Sequence, residues 1–172
     1  MTLQEFFLRR SLIDVQYKVI NCDHINAKNY VDGKEYPLLF PKSLINLCKS
    51  LKTEKTIDYY FKGVITHERK WILCFKNATI IHSERGRGDD KFNYDIEYYA
   101  DLNKTKFALC PVGECNWSYR LFEAILCMAI PIVEENDIFH NEFYHYHKGE
   151  KMEYKKEWAD HNYNTLIKKF TL

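Results

Sequence analysis

The stretch Phe107–Val133, FALCPVGECNWSYRLFEAILCMAIPIV, admits few folds. It predicts a buried strand over Phe107–Cys110 and a turn over Pro111–Trp117, punctuated by Pro111 and Gly113. A helix then runs from Ser118 to about Met128, and a second strand covers Ile130–Val133. Tyr119, Phe122, Ile125, Leu126 and Ala129 recur at helical spacing, so one helix face can pack on a sheet. Ser118 stands where an N-cap hydroxyl accepts from an unpaired amide of the first turn. Arg120 and Glu123 are three residues apart and share another face. A helix start just after a strand suits a phosphate, because its free amides and partial positive charge face outward. Ligands of open α/β sheets bind beyond the carboxyl ends of the strands.

Upstream, the pattern is regular from Thr56 onward. A strand is expected over Ile57–Phe61, followed by Gly63. Thr66 then caps a helix from about His67 to Lys76, with Trp71, Ile72 and Phe75 as its apolar face. Ala78–His82 is the next strand, Ser83–Phe92 a charged loop, and Tyr94–Asn103 a helix with Ile96, Tyr99 and Leu102 inward. The alternation of strands and helices argues for a parallel sheet with crossover helices. Nearer the start, Thr2–Arg10 suits a short amphipathic helix, Val15–Ile20 a strand and Lys42–Leu51 a helix, with a long loop or a partly structured arm over Asn21–Pro41. After Val133, a polar turn over Glu134–Asn136 leads to Ile138–His147, read as a short helix. Tyr154–Phe170 is a final helix anchored by Trp158, Leu166, Ile167 and Phe170.

Charge is close to balanced, with 25 Lys and Arg against 24 Asp and Glu, which argues against a general nucleic-acid binder. The longest apolar run, Ala124–Val133, is too short to cross a bilayer and contains Pro131. With no apolar leader in Met1–Arg10, the chain is expected to be soluble and cytoplasmic. None of the six cysteines forms a CxxC pair, so reduced thiols are expected. His140, His145, His147 and His161 lack a completing ligand pattern, and no metal is expected. Neither a Walker loop nor a GxGxxG fingerprint is present.

The segment TKFALCPVGECNWSYRLFEAILCMAIPIV resembles the donor-binding signature of exostosin-type glycosyltransferases: a Lys-Phe strand, a Cys-Pro-x-Gly turn, Ser-Tyr-Arg-Leu-x-Glu-Ala and a Pro-Ile/Val strand. YYFKGVITHERK, from Tyr59, resembles the first strand, Gly turn and basic helix of the same half. The resemblance implies a Rossmann-like open parallel sheet with flanking helices, similar to the C-terminal half of a two-domain GT-B glycosyltransferase. Residues 56–172 would be the nucleotide-sugar-binding domain, and 1–55 an N-terminal extension or a reduced acceptor-side segment.

The implied function is transfer of a sugar from a nucleotide diphosphate donor, a UDP-sugar favoured, to a glycan or other acceptor hydroxyl. No cofactor or essential metal is implied. The donor-binding residues would be Gly63, Arg69, Ser118, Tyr119, Arg120 and Glu123, with Glu123 accepting from the ribose diol. No catalytic base is assigned, because in a two-domain enzyme it comes largely from the acceptor half. That half would be reduced, supplied by a second chain or a second copy, or missing. Three plainer readings stand beside these roles. Arg120 and Glu123 would form an exposed ion pair worth roughly a few tenths of a kcal/mol, Gly63 would mark an ordinary turn, and Arg69 would be solvated. A non-catalytic nucleotide-sugar-binding or protein-interaction module is the alternative to an enzyme.

Overall fold

A computed structural model describes residues 19–23, 28–31, 34–37, 42–83, 95–113, 118–134 and 142–170. The expected Thr2–Arg10 helix, most of the charged loop after Ser83, and Glu114–Trp117 of the central turn lie outside them.

Five strands form an all-parallel open sheet: β4 (Ile57–Gly63), β5 (Ala78–His82), β6 (Thr105–Leu109), β7 (Ile130–Val133) and β8 (Tyr146–His147). Their spatial order is β5-β4-β6-β7-β8. The chain winds one way from β4 to β5 and the other way from β6 to β8, so the switch point lies between β4 and β6. In open α/β sheets this is where a ligand crevice is expected, beyond the carboxyl ends of the two strands. The α/β, Rossmann-like architecture expected from the alternating pattern is therefore present.

Both faces of the sheet are covered, as an all-parallel sheet requires. Neighbouring residues serve opposite faces: Tyr60 and Ala108 point to one core cluster, Phe61, Phe107 and Leu109 to the other. The first cluster takes in helices α1 (Lys42–Ser50), α2 (Ile96–Lys104) and α3 (Tyr119–Leu126), together with Leu166 of α4 (Lys156–Phe170). The second includes Trp71 and Ile72 of a 3-10 helix (Lys70–Cys74), Tyr146 of β8 and Ala159 of α4. The amphipathic α1 places Leu44, Ile45 and Cys48 in the first cluster, so residues upstream of 56 share the core of the sheet domain. No helix among the described residues is long and apolar enough to cross a membrane.

Three expectations are corrected, and one pair of alternatives is decided. The segment expected as a helix over His67–Lys76 contains only the 3-10 helix Lys70–Cys74. Its backbone bonds Arg69 N–H to Thr66, Lys70 to His67 and Ile72 to Arg69 are all i to i−3, a pattern that does not propagate an α-helix. Of the two readings of Asn21–Pro41, the partly structured arm is the one found: it holds β2 (Lys28–Val31), β3 (Lys34–Pro37) and most of β1 (Val19–Asp23), a three-stranded antiparallel sheet. Tyr146–His147, expected in a helix, is an added parallel strand. Its Tyr146 hydroxyl donates to Glu153 O (2.9 Å) and its ring packs edge-on to Phe107. Ile96 is 58% exposed, and Tyr98 takes the inward position beside Tyr99 and Leu102.

Helix α3 stops in a Schellman turn, with Met128 N–H on Ile125 O and Ala129 N–H on Ala124 O. The left-handed position is held by Met128 (φ 60°), where glycine would carry no Cβ penalty. Lys55 Nζ reaches this helix end and donates to Cys127 O at 2.6 Å. A cavity of about 380 Å³ lies beside it, lined by Lys55, Asn103, Met128 and Tyr154 among others. These residues precede β4, β6, β7 and α4, so the cavity is at the amino ends of the strands, opposite the switch-point crevice. Burial pushes the Lys55 ammonium down to about 8. Its folded pKa is thus below its unfolded one, and the native chain binds fewer protons between pH 8 and the ordinary lysine range. Urea unfolding of the native chain and Lys55→Met should show the wild type gaining stability relative to the variant as pH rises from 8 to about 10.5. A constant difference across that range would contradict the burial of this ammonium.

Candidate functional site

The switch point is flanked by the last residues of β4, the loop after β6 and the start of α3. Helix α3 is buried along its whole length because its residues face both the sheet and the neighbouring helices. That burial turns Arg120 inward. The guanidinium is 8% exposed, lies 4.3 Å from the Phe61 ring centroid, and donates from Nη2 to Lys62 O at 2.8 Å. A cation on an aromatic face is worth about 0.5–2 kcal/mol, more when desolvated. Arg120 Nε is buried and has no hydrogen-bond partner among the described residues. A desolvated guanidinium N–H without an acceptor is costly.

Gly63 lies directly beneath. A Cβ at Gly63 would stand 2.6 Å from Arg120 Nη2 and 3.4 Å from Phe61 Cζ. The glycine is therefore required for close approach of a side chain, not for its own backbone angles. Arg69 braces the same crevice. Its Nε donates to Val112 O (3.1 Å) and its Nη1 to Val64 O (3.0 Å), linking the loop after β4 to the loop after β6. The plainer alternative, a solvated Arg69, does not hold: the side chain forms this cross-brace, at the N-cap of the 3-10 helix instead of in an α-helical first turn. At the rim, Lys62 pairs with Asp95 at 2.7 Å, and Asp95 also caps α2 by accepting from Tyr98 N–H.

Ser118 occupies the N-cap position with extended backbone, but its hydroxyl makes no cap bond. Ser118 Oγ is buried without a partner among the described residues, so the capping role expected for it is not used here. Tyr119 is 5% exposed and its ring belongs to the first core cluster, so toward the crevice it offers backbone only.

Glu123 lies one turn further on and is 1% exposed. Its two oxygens accept from adjacent tyrosines of α2: Oε1 from Tyr99 Oη at 2.8 Å, and Oε2 from Tyr98 Oη at 3.0 Å. The reading of Arg120 and Glu123 as an exposed ion pair is excluded by burial. Cys110, at the end of β6, has its thiol pushed up to about 12 by burial, with Arg120 and Glu123 both near enough to act on it electrostatically.

Of the residues named from the sequence, Gly63 lies against Arg120 at the end of β4, and Arg69 bridges the loops after β4 and β6. Sequence reasoning missed the two phenols on Glu123 and the carbonyls of Lys62, Val64 and Val112. The Tyr98-Tyr99 doublet was visible, but only the inward turn of α2 toward α3 makes it a carboxylate clamp.

Comparison with known proteins was consistent in kind. No protein-family model matches the chain. The chain is 44% identical over 148 residues to a rice (Oryza sativa subsp. japonica) protein named as a probable glucuronosyltransferase, covering 78% of this chain and 34% of that protein. It is 30% identical over 94 residues to a probable beta-1,4-xylosyltransferase of Arabidopsis thaliana, covering 51% of this chain and 23% of the relative. A further Arabidopsis protein of that name is 38% identical over 91 residues. The chain therefore spans between about a quarter and a third of the length of these relatives.

Removing one phenol leaves a buried carboxylate short of a donor. Tyr99→Phe should lower unfolding free energy by about 1–3 kcal/mol in urea titration. A change under about 0.5 kcal/mol would mean that the Tyr99–Glu123 bond does not hold α2 on α3.

Proposed function

We propose that this domain binds a nucleoside diphosphate sugar in the switch-point crevice and serves as the donor side of a glycosyltransferase. The observation that carries the reading is the buried Arg120 guanidinium, held over the end of β4 beside a helix start with an unanswered N–H. The similarity to proteins named as glucuronosyl- and xylosyltransferases supports the same chemistry. UDP-glucuronic acid and UDP-xylose are the donors those names suggest.

In transfer, an acceptor hydroxyl attacks the anomeric carbon. The new carbon–oxygen bond forms as the bond to the diphosphate breaks, and the nucleoside diphosphate departs with the electron pair. Arg120 and the first amides of α3 stabilise the charge growing on that leaving group. Arg69 keeps the crevice walls at fixed spacing through Val64 and Val112. Glu123 is proposed to accept from the ribose diol. Because the residue is 1% exposed, the diol has to displace the atoms that now cover it. The proton of the acceptor hydroxyl goes to a base on the acceptor side, contributed by a further segment, another chain or a second copy.

Isothermal titration with UDP, UDP-glucuronic acid and UDP-xylose tests the reading. The native chain should bind at least one of them, and Arg120→Ala should weaken binding by tenfold or more. Gly63→Ala gives a sharper check. The added Cβ displaces Arg120 Nη2 from Lys62 O and from the Phe61 ring, so folding stability should fall by about 1–3 kcal/mol with the native circular dichroism kept, while nucleotide affinity falls as in Arg120→Ala. No heat or thermal shift with any nucleoside diphosphate would end the donor-site reading. Binding without donor hydrolysis or transfer would leave a non-catalytic nucleotide-sugar-binding domain.

A further inference from the structure

We propose that Cys48 and Cys127 are a disulfide-forming pair that staples helix α1 to the end of helix α3. The two sulfurs lie 3.7 Å apart, from residues 79 positions apart in the chain. Both are reduced in this structure and both are buried, Cys48 at 2% and Cys127 at 0% exposure. Cys127 Sγ is oriented from its other side by Asn103 Nδ2 at 3.3 Å, with Tyr99 O at 3.8 Å. Its backbone is held by the Schellman turn and by Lys55 on its carbonyl. One sulfur is thus fixed in a rigid frame, while its neighbour sits on an outer helix. A bond requires the sulfurs to close to about 2.0 Å, which rotation at the Cα–Cβ bonds and a small shift of α1 supply.

The route follows from reactivity. Burial raises the Cys127 thiol well above its ordinary value, so in the closed fold it is a poor nucleophile. Helix α1 is joined to β4 through exposed Lys52–Glu54 and carries Cys48 away from the core when it opens. The oxidant is a small disulfide such as oxidised glutathione. The Cys48 thiolate attacks it, giving a mixed disulfide and one glutathione thiol. The Cys127 thiolate then attacks the Cys48 sulfur and releases the second glutathione. Two protein thiols are oxidised and one glutathione disulfide is reduced to two thiols. Of the other cysteines with described side chains, Cys74 is exposed and Cys110 is buried at the end of β6. Neither is in sulfur contact with this pair.

The test equilibrates the full chain in glutathione buffers from fully reduced to mostly oxidised, alkylates it, and maps peptides by mass spectrometry without reduction. A Cys48–Cys127 cross-linked peptide should dominate, and the melting midpoint should rise by about 5 °C or more over the reduced chain. A phosphine reductant should reverse the rise. Cys74→Ala should keep both the cross-link and the shift. Cys48→Ala, checked for native circular dichroism, should lose both, and Cys127→Ala serves in its place if that chain does not fold. Recovery of Cys48 and Cys127 as separate alkylated or glutathionylated thiols at every ratio would overturn the proposal. So would a dominant cross-link between any other pair, or an equal shift in Cys48→Ala.

Discussion

The reach of Arg120 across the switch point is the contact on which the rest of the crevice depends. Helix α3 is carried on the strand that precedes it, β6, while the carbonyl it grips belongs to Lys62 of β4. One guanidinium therefore joins two strands whose connections wind in opposite directions. It can do so only because Phe61 supplies an apolar floor and Gly63 leaves no side chain in the way. Charge, ring face and missing Cβ act together, and none has a use without the others. Arg69 repeats the device from the opposite wall by tying Val64 to Val112.

Burying a cation this deeply is costly unless its donors are answered. Nη2 is answered by backbone, and Nε faces no acceptor among the described residues. Just behind it, Glu123 is held by two phenols and makes a polar layer between α2 and α3. This layer keeps the two helix starts in register, and Asp95 extends it to the rim by capping α2 while pairing with Lys62. The carboxyl end of the sheet, where phosphate chemistry is proposed, thus gathers Arg120, Glu123, Lys62 and Asp95. At the opposite end, Lys55 meets the carbonyl end of α3, the sign of charge that a helix C-terminus favours.

The central segment was legible because its local and global preferences agree. The strand at Ile130–Val133 appears with the expected bounds, and so does Ala78–His82. Apolar runs of four or five residues bounded by turn residues have few other uses. The helix expected after Gly63 failed for a tertiary reason. Arg69 is committed to two loop carbonyls, and adjacent Trp71 and Ile72 are both drawn onto the sheet, which a tighter 3-10 turn permits. Strand β8 was missed because two residues carry no periodicity. It exists through pairing with Ile132 and Val133 and through the packing of Tyr146 on Phe107 and Trp158.

By itself the sequence determined the parallel α/β architecture, the place of the helix start after β6, and which residue types meet there. Those follow from periodicity and turn chemistry, which act over a few neighbours. Only the tertiary structure decided that Arg120 turns inward over Phe61, that Glu123 is sealed by Tyr98 and Tyr99, and that Cys48 comes within 3.7 Å of Cys127. Each is a meeting of residues far apart in the chain. What brings them together is the burial of whole helix faces against a sheet, a force with no direction along the sequence.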